Sequence, residues 1–504
     1  MKPLLCSLLA AITLGSASAD YTVTPSPTDQ RGLWKGFGTS LAWFANGVGQ
    51  SSYQNLYADL LFTTKTQTVL GSQVPGLGLS LARYNIGGCG QGDVINGAVE
   101  HQPDPSVLPW YRAIHGFWLN WFSSDPTSSS WDWTRDANQR AMMLAASARG
   151  AHIEMFANAP EWWMTVEKSS CGGQLQAWNQ HDFATYLATV VKKAKTDWNV
   201  TVDSVEAFNE PAAGWWTYPK NQEGCNIVPP VQATILGYLR QELNARGLQG
   251  VSIAASDENA MSQGVSTLNY LKTHTTTVNG TQTVAANLID TVDVHSYNGL
   301  DAWTDNSVRT ALHQAAGTKT VSASEFGDPD GGGMTLAQMI SCDINVLRAR
   351  SWHYWQVIEP SSGWGLVNAQ YDAPADQTST SRGAPKWVYT KYYTFAQFTR
   401  FLRPGMMVFG TNDINTVLAY DNQAHTLTFI TVNYGTAQNI VYDLTQIAKK
   451  GTTAVSTTTC TNSSKVFTAT TRALTSGKLT IPADANSVTS TVIPGVTFSL
   501  APEP

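Results

Sequence analysis

The sequence predicts an α/β protein: a (β/α)8 TIM barrel with an appended C-terminal antiparallel β-sandwich domain. Three observations carry this reading. Eight short strand-like runs recur between residues 34 and 404, with helical stretches between several of them. Alternating strands and helices favour a parallel sheet covered by helices, and eight strands close such a sheet into a barrel. The runs end on polar and aromatic residues rather than on plain turns. After residue 404 the texture changes, and Thr, Ser, Val and Gly dominate to the end, as in sandwiches with regularly spaced turns.

The expected barrel strands are residues 36–40, 78–84, 152–157, 204–208, 251–255, 292–296, 320–324 and 351–355. Residues 137–148 form an Ala- and Met-rich helical stretch that stops at Gly150. Residues 182–195 place Phe183, Tyr186, Leu187 and Val190 on one face and end in lysines, which suits the negative end of a helix dipole. The last helix repeats Val388, Tyr392, Phe395, Phe398 and Leu402 at spacings of four and three, and Arg403-Pro404-Gly405 stops it. Beyond it, residues 426–432 read as a strand after a hairpin turn at Asp421-Asn422-Gln423. The boundaries expected are a signal segment over 1–19, an N-terminal strand over 20–33 that joins the β domain, the barrel over 34–404 and the sandwich over 405–504.

Composition narrows the function classes. The chain has 504 residues, enough for a large barrel with an appendage. Charged residues make up 13%, against roughly 25% in an average soluble domain. The net charge of −6 argues against a nucleic-acid partner. The 18 tryptophans are a large number; many must be core, but Trp is also a natural platform for the apolar face of a sugar. Lys2, the apolar run 4–14 and Ala17-Ser18-Ala19 before Asp20 have the order of a secretory signal. No later stretch is long and apolar enough to span a bilayer. The expectation is a secreted, extracellular monomer with no membrane partner. Five cysteines remain past the signal, so at most two disulfides form; Cys171 with Cys225 is the expected pair. Asn199, Asn279 and Asn462 open glycosylation motifs. No nucleotide-binding glycine loop and no metal-ligand spacing stand out, so neither a cofactor nor a metal is expected.

The chemistry sits at the strand ends, where barrels of this kind place their active sites. Residues 204–208 lead into Asn209-Glu210-Pro211, and residues 320–324 lead into Glu325. Two carboxylates facing one cavity can cleave a glycosidic bond, one as acid and the other as nucleophile or base. Asn-Glu-Pro alone recurs by chance; its place after an apolar strand raises its weight. Arg83 is a plausible positive partner for a carboxylate, or a simple neutraliser of buried charge. Tyr297 can hydrogen-bond a carboxylate, and Asn209 a sugar hydroxyl. His295 is as readily structural as functional. Glu206 and Glu154 point either into the barrel or out of it, and Glu161 and Glu359 are reserve acids. Trp162, Trp163, Trp215 and Trp216 are core residues or sugar platforms. Asp328, Asp330 and residues 331–333 resemble a calcium loop but lack its ligand spacing, and read as a turn.

Asn209-Glu210-Pro211 at a fourth strand and Glu325 at a seventh resemble the retaining glycoside hydrolases of clan A. Residues 34–43, Trp-Lys-Gly-Phe-Gly-Thr-Ser-Leu-Ala-Trp, and residues 81–88, Leu-Ala-Arg-Tyr-Asn-Ile-Gly-Gly, resemble the first and second barrel strands of glycoside hydrolase family 30. Residues 395–405 and the trailing β domain are similar to that family's C-terminal half. The resemblance implies Glu210 as acid/base and Glu325 as nucleophile. It also implies that Trp43, Arg83, Asn158, Asn209, His295, Tyr297 and Trp355 line the site. The implied activity is that of the fungal endo-β-1,6-galactanases, on galactan side chains of arabinogalactan-type polysaccharide. The alternatives are the same mechanism on β-1,6-glucan, xylan or a glucosylceramide-like substrate, or a carbohydrate-binding protein that has lost catalysis.

Overall fold

The barrel is closed by eight parallel strands in chain order: Gly36–Ser40, Leu81–Asn85, His152–Phe156, Val202–Glu206, Ser252–Glu258, Thr291–His295, Thr320–Phe326 and Ser351–Tyr354. The structure, a computed structural model, describes residues 21–297, 304–360, 363–447, 450–461 and 465–497. The expected signal segment over 1–19 and the motif at Asn462 lie outside these residues. The strands are buried on both faces, which is why they read as apolar runs without a two-residue period. Helices cover the outside, among them Ala137–Ser147 after the second strand, Gln180–Thr196 after the third and Pro229–Ala245 after the fourth. Strand 1 closes on strand 8 through Gly38, where a Cβ would lie 2.3 Å from the His353 ring. Among the described residues no helix is long and apolar enough to cross a membrane.

Two β-sheets follow the barrel. One has seven strands in the spatial order Pro25–Leu33, Met407–Thr411, Thr416–Asp421, Thr426–Asn433, Ser487–Pro494, Thr453–Cys460 and Thr468–Ala473. The other joins Tyr21–Val23, Gln438–Asp443 and Lys478–Ala483. Val23, Phe409, Leu418, Phe429, Tyr442 and Ile481 fill the space between them, with Phe429 stacked on Tyr442 at 4.3 Å. Both strands of the N-terminal segment pair with this region, Tyr21–Val23 parallel to residues 440–442 and Pro25–Leu33 antiparallel to Met407–Thr411.

Two local expectations are corrected. Val388 pairs with Val367 in a strand, and the last helix starts at Thr390, because Tyr389 is extended and ends the strand there. The expected Cys171–Cys225 disulfide is not formed, and Cys89, Cys171, Cys225, Cys342 and Cys460 are all free and buried. The two segments do meet, but Cys171 is in register with Gly224, so Cys225, one residue on, faces the other side of the strand pair. Cys225 therefore joins the main core, while Cys171 packs beside Cys89. The calcium-like turn is filled by a lysine: the Lys391 ammonium donates to the Asp328 carbonyl at 2.5 Å and lies 3.7 Å from its carboxylate. Asn199 and Asn279 are both exposed, the latter in a hairpin turn.

Candidate active site

The interior of the barrel is charged where such interiors are commonly filled by branched apolar side chains. Arg83, from strand 2, is buried and reaches Asp257 at 2.8 Å and both Glu206 and Glu325 at 3.5 Å. Glu206 and Glu154 thus both point inward, the latter to His353 at 2.8 Å. His295 Nε2 lies 3.2 Å from Asp257, and the Ser324 hydroxyl donates to the same carboxylate. Burial pushes its carboxyl up, but Arg83 and His295 pull it further down, to well below the usual carboxylate range. Glu206 goes the other way: burial, Asp257 and Asp293 hold it well above that range.

Glu325 closes strand 7 on the inner side. Its Oε1 accepts from the Tyr297 hydroxyl at 3.1 Å, and its Oε2 faces Arg83. Glu210 lies four residues past the end of strand 4 in the left-handed region, with φ 49°. That conformation is uncommon outside glycine. Here the Glu210 N–H donates to the Asp257 carbonyl at 2.8 Å, and the Trp216 indole donates to the Glu210 carbonyl at 2.9 Å. Asn259 donates to Glu210 Oε1 at 2.5 Å. His295 Nδ1 sits between the two carboxylates, 3.2 Å from Glu210 and 3.5 Å from Glu325. One oxygen of each carboxylate and a ring nitrogen of His295 all lie within 4.8 Å of one another. Carboxyls about 5–5.5 Å apart suit a retaining glycosidase, while an inverting one needs roughly 6.5–9.5 Å.

Burial pushes the Glu325 carboxyl up to about 7, with His295 and Arg83 opposing and Glu210 and Asp257 adding to the rise. Burial alone would lower the imidazole of His295, but Glu325 and Asp257 hold it well above its ordinary value. The three ligand atoms have the spacing of a cation site. Arg83 and Asn259 already donate to the two carboxylates.

Above the pair opens a cavity of about 630 Å³. Of the residues expected at the site, Trp43, Asn158, Asn209, Glu210, Tyr297, Glu325 and Trp355 line it. Arg83 and His295 lie behind that lining and touch the carboxylates from below. Trp43 and Trp355 meet edge to face at 5.1 Å. Asn209 Oδ1 is buried with no hydrogen-bond partner, an acceptor aimed at whatever enters. Trp162 and Trp163 are core residues, not platforms. Trp215 lines the cavity and is 45% exposed, while Trp216 is buried beneath it. Of the reserve acids, Glu161 is buried under the Trp118 N–H, and Glu359 lines the cavity. Arg112, stacked on Trp43 at 4.2 Å, and Asn259 are lining residues that the sequence reading missed. The sequence reading also missed Asp257, which lies beneath the lining.

Comparisons with known proteins point to one family. A sequence model described as O-Glycosyl hydrolase family 30 matches residues 20–286. The chain is 38% identical over 450 residues to an endo-beta-1,6-galactanase of Hypocrea rufa, covering 88% of each protein. It is 23% identical over 546 residues to an exo-beta-1,6-galactobiohydrolase of Bifidobacterium longum, covering 84% of this chain and 35% of that protein. The fold matches the catalytic domain of a GH30 xylanase C from Talaromyces cellulolyticus with a TM-score of 0.65 at 19% identity, over 94% of this chain and 99% of that one. With its own barrel, its paired carboxylates and this likeness along most of its length, the chain belongs to glycoside hydrolase family 30.

Proposed function

We propose that this protein is a secreted, retaining endo-β-1,6-galactanase. The observation that carries the reaction type is the close approach of Glu210 and Glu325 at the floor of one cavity. The substrate rests on the likeness to the Hypocrea rufa enzyme. Glu325 attacks the anomeric carbon while Glu210 protonates the departing oxygen. Water then enters with Glu210 as base and releases the sugar with its configuration retained. Tyr297 and Arg83 both present donors to Glu325, which favours the anionic form that attacks. Asn209 offers its unpaired acceptor to a hydroxyl of the reacting sugar. The test is hydrolysis of β-1,6-galactan, β-1,3-galactan, β-1,6-glucan and xylan side by side. Internal cleavage of β-1,6-galactan into oligomers is expected. Cleavage of xylan or β-1,6-glucan alone overturns the substrate, and release of single terminal units overturns the endo mode.

The proton balance predicts the pH profile. The attack on the anomeric carbon needs Glu325 as a carboxylate. Burial holds the proton on that carboxyl up to about 7. As pH falls through that value the nucleophile is lost, so kcat/KM is expected to fall on an acid limb centred near 7. A profile flat from about pH 9 down to about pH 5 contradicts this placement of the proton.

Trp215 is expected to act as a sugar platform, since it is exposed within the cavity wall. Trp215→Ala should raise KM on polymer roughly 5- to 10-fold and leave kcat nearly unchanged, because a platform binds ground state and transition state alike. An unchanged KM would place the polymer elsewhere.

A further inference from the structure

A second pair of side chains stands apart from the reacting groups. Cys89 follows strand 2, and its N–H and carbonyl are held by Ile114 and Gly116 at 3.0 and 2.9 Å. Cys171 opens a short strand in the segment after strand 3. About 80 residues separate them in the chain, yet both are fully buried in one small cluster with Leu108 and Ala113. The Ser170 hydroxyl lies 3.0 Å from Cys89 Sγ and 3.9 Å from Cys171 Sγ. The hydrogen bond with Cys171, then burial, holds the Cys89 thiol well above its ordinary value. Cys225, Cys342 and Cys460 are not members of this cluster.

We propose that Cys89 and Cys171 are joined by a disulfide in the protein as it is made in an oxidising compartment. The pairing expected from the sequence fails on strand register, and the same register turns Cys171 toward Cys89. The oxidant is a small-molecule disulfide such as oxidised glutathione, or an enzyme that carries one. Two S–H bonds and the oxidant's S–S bond are lost, one Sγ–Sγ bond forms, and the oxidant takes up the two electrons and the two protons to become two thiols. The attacking species is the thiolate. In the folded protein both thiols are buried and Cys89 is held protonated, so the bond forms during folding, while the segments are still open to the oxidant.

The bond also bears on the cavity. The Cys171 carbonyl accepts from Lys220 N–H at 3.1 Å, and the neighbouring Ser170 carbonyl from Gly224 N–H at 2.9 Å. Glu223, between those two, accepts from Gly88 N–H and Asn85 at 2.8 Å each. The loop from Trp215 to Gln222, which forms one cavity wall, is therefore pinned to the two segments that the bond would tie together.

The test is differential alkylation of the secreted chain, unfolded first without and then with reductant, followed by peptide mapping. Cys225, Cys342 and Cys460 should be labelled before reduction, Cys89 and Cys171 only after it, and a linked peptide should contain both. Labelling of Cys89 and Cys171 before reduction, or a linked peptide joining Cys171 to Cys225, overturns the proposal. Cys89→Ser, Cys171→Ser and the double variant give a second readout. Each single variant should lower Tm by several degrees and free its partner for labelling, with the double no worse than the worse single. Additive losses would instead mean two separate packing thiols. The labelling is done on the natural sequence, so the result does not depend on the variants folding.

Discussion

Glu325→Gln is expected to lower kcat on β-1,6-galactan by roughly 10⁴-fold or more, because it removes the group that forms the covalent intermediate. The fold should survive it. Glu325 is crowded by Glu210 and Asp257 and raised by its burial. A neutral amide removes that conflict, so Tm should hold or rise. Glu210→Gln is expected to behave differently. On the polysaccharide it should cost about 10²- to 10⁴-fold, the usual worth of a general acid. On an aryl galactoside whose leaving group needs no proton, the first step should proceed nearly unimpaired and the intermediate should accumulate. A small anion such as azide should then restore turnover, giving a product of retained configuration in Glu210→Gln and of inverted configuration in Glu325→Gln. If the two variants lose activity equally on both substrates, the division of roles is wrong. If Glu325→Gln hydrolyses at the native rate, Glu325 is not the nucleophile.

Much of this was legible in the sequence for a definite reason. The strands are buried on both faces, so they stand out as apolar runs, and a barrel puts its reacting groups where those runs end. Glu210 and Glu325 could be read off in that way, and so could Trp43, Asn158, Tyr297 and Trp355. Asp257 was harder. It lies in the fifth strand, inside the barrel, and its importance comes from three residues on other strands, Arg83, His295 and Ser324. No local pattern encodes a contact between strands 2, 5, 6 and 7. Arg112 reaches the cavity from a long loop after strand 2 by stacking on Trp43, which again has no signature along the chain. The cysteines illustrate the same limit more sharply. The sequence correctly suggests that the segments carrying Cys171 and Cys225 meet, but a register of one residue decides which thiol faces which neighbour.

Asp257→Ala is expected to be the most damaging change outside the two reacting carboxylates. It deletes the anion that Arg83 and His295 share in a place without access to solvent. Removing one partner of such a buried group typically costs about 3–5 kcal/mol, because the remaining charges stay behind unbalanced. The sign of its pH dependence follows from the depressed carboxyl. A group whose folded value lies below its unfolded value of ~3.9 contributes its full stabilisation above that pH and loses it as the pH falls further. The stability gap between wild type and Asp257→Ala should therefore be widest near neutrality and narrow below about pH 4. In the folded fraction His295 loses its anchor on one ring nitrogen, and with it the orientation that places the other between Glu210 and Glu325. Displacements of that kind can cost up to about 100-fold, so kcat should fall roughly 10- to 100-fold with KM little changed. Asp257→Asn separates charge from volume, since it keeps the shape and an acceptor oxygen. It should recover packing but still lose most of the stability at pH 7. An Asn variant as stable as wild type would mean that Glu206 and Glu325 suffice to balance the guanidinium, and that the fifth strand contributes shape rather than charge to the site.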